Sequence, residues 1–188
     1  MIDTLCKQAV GENAAVGYFY FDFAVQEEQS PATILGSVLR QVVGGFGEVP
    51  EKIIKAFRDQ EKVSDGQRPA LSEIVEFLQD ISSSRCTSIC IDALDECPAG
   101  HRVKLLDSLN QVLQNSPDTR IFLTGRPHIR GVEKLLGGRV AARSITPIRG
   151  DIIIFLREKL REDTMPDAMD ESLEEEIIQR IPEAVSEM

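Results

Sequence analysis

Three carboxylates, Asp92, Asp95 and Glu96, fall within five residues directly after the apolar run Thr87-Ser88-Ile89-Cys90-Ile91. That run follows a serine-rich loop and has the look of a buried parallel strand. Burying an unpaired charge is costly, so acids that close such a strand belong at its exposed carboxyl edge. In open α/β sheets ligands bind at that edge. One carboxylate there can hold Mg2+ through water, and another can orient or deprotonate an attacking water. The competing reading is a strand that runs into an acidic, solvated turn. A second strand, Arg120-Ile121-Phe122-Leu123-Thr124, also ends in polar groups, Thr124-Gly125-Arg126-Pro127-His128. Acids at one strand end, with Thr124 and Arg126 at the next, suit a metal-bound phosphate. Arg126 read blandly is a surface arginine answering nearby acids, although Gly125 and Pro127 would fix the backbone around it. His128 has no partner at a ligand spacing and is assigned no role.

The elements that must position these groups alternate between strand and helix. Residues 1–10 space Ile2, Leu5 and Ala9 on one helical face, and Gly11-Glu12-Asn13 makes a turn. Val16 to Phe23 is the strongest strand signal; its aromatics suit core and sheet surface better than base stacking, and Asp22 suits a strand terminus better than a site. Ser30-Pro31 starts a helix, with a serine able to cap and a proline whose missing N–H costs nothing. Ile34, Leu35, Val38, Leu39 and Val42 form its apolar stripe, and Gly44-Gly45 ends it. A second helix is expected from Pro50 through Lys62, carrying Ile53, Ile54 and Phe57. After a Ser64-Asp65-Gly66 loop, a third carries Leu71, Ile74, Val75 and Leu78. Beyond the acidic strand end, a helix should turn Val103, Leu106, Leu109 and Leu113 inward. Val140 to Ile145 reads as a last strand, Asp151 as a helix cap, and Met165-Pro166-Asp167 as a linker. A final helix should start at Asp170 or Ser172 and contains Pro182. This is the order of a doubly wound α/β domain followed by the start of a helical subdomain, placed at residues 1–149 and 150–188.

Composition narrows the function classes. At 188 residues and 42% hydrophobic content the chain can build one sizeable core. A net charge of -10 disfavours nonspecific binding to nucleic acid or to an anionic membrane. No run approaches the length of a membrane span, and the amino terminus lacks a signal peptide's basic start, so a cytoplasmic protein is expected. Cys86, Cys90, Cys97 and His101 superficially suggest zinc. Cys86 and Cys90 on one strand would lie roughly 13 Å apart, too far for one tetrahedral ion, and no CxxC pair exists. Direct metal-dependent hydrolysis by Asp92, Asp95 and Glu96 is a weaker reading, since no further ligand lies at a suitable spacing.

Ser88-Ile89-Cys90-Ile91-Asp92-Ala93-Leu94-Asp95-Glu96 resembles the Walker B motif of NACHT domains, in the STAND class of P-loop NTPases. The tell is a small residue after the magnesium Asp, here Ala93, and then a further acidic pair. Ile121 to Pro127 is similar to the family's sensor 1 strand. Gly17 to Phe23 is similar to the strand after the P-loop helix in fungal, nephrocystin-3-like NACHT proteins, and Asp151-Ile152 to the start of their helical region. The resemblance implies a three-layer α/β fold with a doubly wound parallel sheet of the P-loop NTPase type. It implies that Asp92 binds Mg2+ through water, that Asp95 polarises the attacking water with Glu96 assisting or substituting, and that Thr124 and Arg126 contact the nucleotide, Arg126 sensing the γ-phosphate. ATP or ADP would be the ligand, with self-association or NACHT relatives as partners.

One departure matters. No G-x-x-x-x-G-K-[ST] occurs, and no lysine follows a glycine. That loop supplies the N–H nest and lysine that grip the phosphates, and the hydroxyl that completes the magnesium shell. The expectation is therefore an incomplete domain, without its first strand and P-loop, that binds nucleotide weakly and hydrolyses it negligibly. The alternative from another class is a non-catalytic interaction protein that binds full-length relatives.

Overall fold

A computed structural model describes residues 2–9, 13–45, 49–63, 69–127, 129, 131–137, 140–162 and 170–186. The expected loop at residues 64–66, the linker at 165–167, His128 and the side chain of Phe57 lie outside this set. The chain divides into two compact units, residues 1–141 and 142–188.

The first unit is α/β. Its sheet has three parallel strands, β1 (Ala14–Tyr20), β2 (Cys86–Asp92) and β3 (Thr119–Leu123), in the order β1-β2-β3. The register sets Tyr20 beside Asp92 and Ile91 beside Leu123, so the carboxyl ends of the strands lie side by side. The central strand β2 is buried along its five middle residues, the polar Thr87 and Ser88 as well as Ile89, Cys90 and Ile91, as a strand covered on both faces should be. On β1 the aromatics alternate, with edge-to-face pairs Phe19–Phe21 on one face and Tyr18–Tyr20 on the other.

Helices α2 (Pro31–Gly44), α4 (Leu71–Ser84) and α5 (Ala99–Gln114) build the main core with β1 and β2. The Ser30 side chain accepts from Thr33 N–H at 3.2 Å and Pro31 opens α2, as the Ser-Pro pair predicts. Ile34, Leu35, Val38 and Val42 meet Ile74, Leu78, Ile89 and Ile91 in that core. Gly17 lets α2 approach closely, because a Cβ there would lie 2.7 Å from Val38 Cγ1 and 3.1 Å from the Val38 carbonyl oxygen. Ser37 and Gln41 share a turn of α2. The Gln41 amide donates to the Tyr18 carbonyl at 2.9 Å and accepts the Tyr18 N–H at 3.0 Å, so a side chain satisfies one residue of this edge strand. Cys90 faces away from the main core, beside Cys6 on α1 (Ile2–Ala9), which lies against β1. A further helix, α3 (Glu51–Val63), is tied to α4 by an ion pair between Lys52 and Asp80.

Several expectations need correction. Val103 on α5 is exposed, and the buried stripe is Leu105, Leu106, Leu109 and Val112. At about 100° per residue, Val103 falls on the far side of the helix from that stripe. Residues 140–145 form no strand; Ala-Ala-Arg-Ser separates the two β-formers Val140 and Ile145, and Ile145 is 90% exposed. A short helix, α6 (Val132–Leu135), was not anticipated.

In the second unit α7 (Arg149–Arg161) packs on α8 (Glu171–Ser186). Ile148, not Asp151, occupies the cap position of α7, and Asp151 sits in its first turn, where a carboxylate still complements the helix dipole. Asp170 caps α8 by accepting from Leu173 N–H at 2.7 Å.

Candidate functional site

The site is built from the carboxyl ends of β2 and β3. Asp92 is the last residue of β2, and Ala93 after it adopts a left-handed conformation, φ 55° and ψ 47°. It is the one non-glycine residue with positive φ among those described. Its Cβ carries the cost of that conformation, about 1–2 kcal/mol, but a side chain with nothing beyond Cβ adds no further clash, which gives the small residue after the acid a physical reason. The reversal drops Leu94 into the core at 1% exposure and starts a 3-10 turn, Leu94–Glu96, that carries both remaining acids.

Thr124, just beyond β3, binds this reversal with every polar group it has. Its N–H donates to the Ile91 carbonyl at 3.0 Å, and its own carbonyl accepts from Leu94 N–H at 2.9 Å. Its hydroxyl accepts from Ala93 N–H at 3.1 Å and donates to Asp92 Oδ1. One oxygen of the Asp92 carboxylate is thereby fixed, while Oδ2 has no partner among the described residues. Tyr20 stands beside Asp92 across the sheet; desolvation first and the Asp92 charge second push its phenol above the usual value.

The second pair lies one turn on. Asp95 Oδ1 accepts Arg126 N–H at 3.1 Å, and Oδ2 lies 3.4 Å from Arg126 Nε. Asp95 is 10% exposed and Arg126 75% exposed, so a nearly buried carboxylate anchors an exposed guanidinium. Gly125 sits where a Cβ would come within 2.5 Å of Ile129 Cδ1 and 3.4 Å of Asp95 Oδ1, so the loop can close over Asp95. The Glu96 backbone N–H is bonded to the Ala93 carbonyl, and its carboxylate has no partner among the described residues.

The five candidate residues thus form two couples, Asp92 with Thr124 and Asp95 with Arg126, and Glu96 stands apart. Sequence reasoning missed the role of Thr124 as the clamp between strand ends; its position directly after a strand, one step from a glycine, was the available signal. Among the described residues no three His, Cys, Asp or Glu side chains converge to hold a metal ion. The four cysteines are free thiols. The side chains at the two strand ends offer carboxylate and hydroxyl oxygens, the hard donors that Mg2+ takes alongside water and phosphate oxygens, and no thiol or imidazole of the kind zinc sites use. For a nucleoside triphosphate the fit is partial, because no phosphate-cradling loop is present in the sequence.

A family model, nephrocystin 3, N-terminal, matches residues 1–126, from α1 through all three strands to Arg126. The chain belongs to the nephrocystin 3 N-terminal family. All five candidate residues lie inside the matched span. No curated protein and no solved structure gives a significant match. No helix among the described residues of this nephrocystin 3 N-terminal chain is long and apolar enough to cross a membrane.

Proposed function

We propose that the chain is part of the nucleotide-binding switch module of a NACHT-type, STAND-class signal-transduction ATPase. The observation that carries the reading is the Thr124–Asp92 couple across adjacent parallel strand ends, which leaves one carboxylate oxygen of Asp92 without a partner among the described residues. In this reading Asp92 holds Mg2+ through water, and the ion supplies charge neutralisation for ATP or ADP phosphates. Asp95 sets the position of Arg126, whose exposed guanidinium is available to a terminal phosphate. Glu96, whose carboxylate has no partner among the described residues, is the acid available to a water. Family membership supports the reading, and the missing G-x-x-x-x-G-K-[ST] limits it to half of a nucleotide site.

Calorimetry with ATP and Mg2+, run beside Asp92→Ala, tests this. The expected dissociation constant is about 1 mM or weaker, worth at most about 4 kcal/mol, with negligible hydrolysis. Micromolar binding that disappears in Asp92→Ala would show a complete site and overturn the claim of a half-site.

A second reading has its own support. β3 pairs on one side only, with β2, so its outer edge is open among the described residues. An open parallel edge is a template for an added strand. A non-catalytic protein could use it to bind a relative that offers a matching strand. Protection of the outward-facing β3 amides from exchange in such a mixture would favour this reading.

A further inference from the structure

Away from the strand ends, helices α2, α3 and α4 enclose an open cavity of about 890 Å³ that shares no lining residue with Asp92, Asp95, Glu96, Thr124 or Arg126. The size is within the range of small-molecule sites, roughly 300–1,000 Å³. The walls are mostly aliphatic, with Val43, Ile53 and Ile54 among them. Two features distinguish it from a packing gap. Gly36, in the middle of α2, lines the cavity, and a Cβ there would meet nothing closer than Ile74 Cδ1 at 3.7 Å. Glycine is unfavourable in a helix interior, and here no close backbone approach requires it, yet it keeps the cavity open.

The second feature is charge. Arg40 and Arg58 both line the cavity and are exposed, which puts them at its mouth. Neither has a carboxylate partner among the described residues, although acids outnumber bases 31 to 21 in this chain. The neighbouring Lys52 on α3, by contrast, is paired with Asp80. An aliphatic cavity with two guanidiniums at its mouth, neither paired among the described residues, complements a molecule with an apolar body and an anionic head.

We propose that this cavity binds a single-chain carboxylate amphiphile, with the chain against Ile53 and Ile54 and the head at Arg40 and Arg58. The nephrocystin 3 N-terminal chain would then carry a lipid-type ligand site separate from its strand-end site.

The test is calorimetric titration of the 188-residue chain with decanoate, and with decanol as the uncharged counterpart of equal chain length. Circular dichroism at saturation checks that the fold persists. Saturable decanoate binding at one site is expected, weakened about tenfold in the Arg40→Ala/Arg58→Ala double variant toward the level of decanol. Gly36→Leu should take up the part of the cavity beside α2, weaken binding of both probes about tenfold and melt no lower than the parent. Absence of saturable binding, unfolding on titration, or binding undiminished in Gly36→Leu would overturn the site. Equal affinity for decanoate and decanol would overturn the assignment of the head. Loss of folding in Gly36→Leu would also count against it, since the space beside Gly36 would not be open; the arginine variant, altered only at exposed positions, still reads the head.

Discussion

The Asp95 carboxylate holds Arg126 at two points, its backbone N–H through Oδ1 and its Nε through Oδ2, at 3.1 and 3.4 Å. The two halves of this couple are unequal. Asp95 is nearly buried and bonds to backbone as well as side chain, whereas the guanidinium is largely in water. An exposed ion pair contributes little, while a buried carboxylate bonded to an N–H contributes more. Asp95→Ala is therefore expected to lower stability by about 1–2 kcal/mol, and Arg126→Ala by under about 0.5 kcal/mol. Urea denaturation of the two variants checks the asymmetry; equal losses would show that the side-chain pair, not the backbone bond, holds the loop.

Thr124 gives a matching expectation at the first couple. Thr124→Val keeps the shape but removes the hydroxyl shared by Asp92 and Ala93 N–H, and should cost about 1 kcal/mol. Thr124→Ser should recover most of it. At Ala93 the left-handed backbone sets the direction: Ala93→Val should destabilise by about 1–2 kcal/mol, and Ala93→Gly should be neutral within about 0.5 kcal/mol, since relief of strain offsets added freedom in the unfolded chain. Thermal melts of these four variants read the order directly.

Gln41 satisfies both backbone groups of Tyr18 on an edge strand. Gln41→Ala should release them, cost about 1 kcal/mol and speed exchange of the Tyr18 amide. Unchanged exchange at Tyr18 would mean the amide is protected by something other than this side chain.

Burial pushes the Cys97 thiol from its ordinary 9.0 up to about 11, and raises Cys90 in the same direction for the same first cause. A raised folded value means the folded state keeps its proton where the unfolded state has lost it. The contribution of Cys97 is therefore fully present below pH 9 and is lost as pH rises toward 11. Both thiols should resist an aromatic disulfide reagent at about pH 8 until the chain unfolds, whereas the half-buried Cys6 and Cys86 react first. Peptide mapping after timed labelling separates the four.

Much of this molecule was legible where a single local rule dominates. Ser30-Pro31 fixes the start of α2, and the run before Asp92, read as a buried parallel strand, is the central strand β2. Side-by-side ends for β2 and β3 follow from parallel pairing of strands that both finish in polar residues. What escaped was set by tertiary contacts. Of the expected stripe on α5, Leu106 and Leu109 are buried and Leu113 packs against the core, but Val103 is exposed, because the packing of α5 on α4 turns Leu105 and Val112 inward beside them. Val140 and Ile145 suggested a strand, yet no neighbour pairs with them among the described residues. Spacing alone could not show that Asp95 and Arg126, 31 residues apart, would satisfy each other and leave Glu96 as the unpaired acid. The cavity beside Gly36 was hidden because the stripes of α2 and α3 read as packing alone.

The most direct test of the strand-end site is NMR of the labelled chain with Mn2+–ATP at about 1 mM, a concentration matched to weak binding, because the paramagnetic ion reports its position even when affinity is low. The account predicts that amide signals of residues 92–96 and 124–126 broaden first, and that Asp92→Ala abolishes this while the rest of the spectrum is kept. Broadening confined to the acidic helix α8, or unchanged at residues 92–96 in Asp92→Ala, would contradict it.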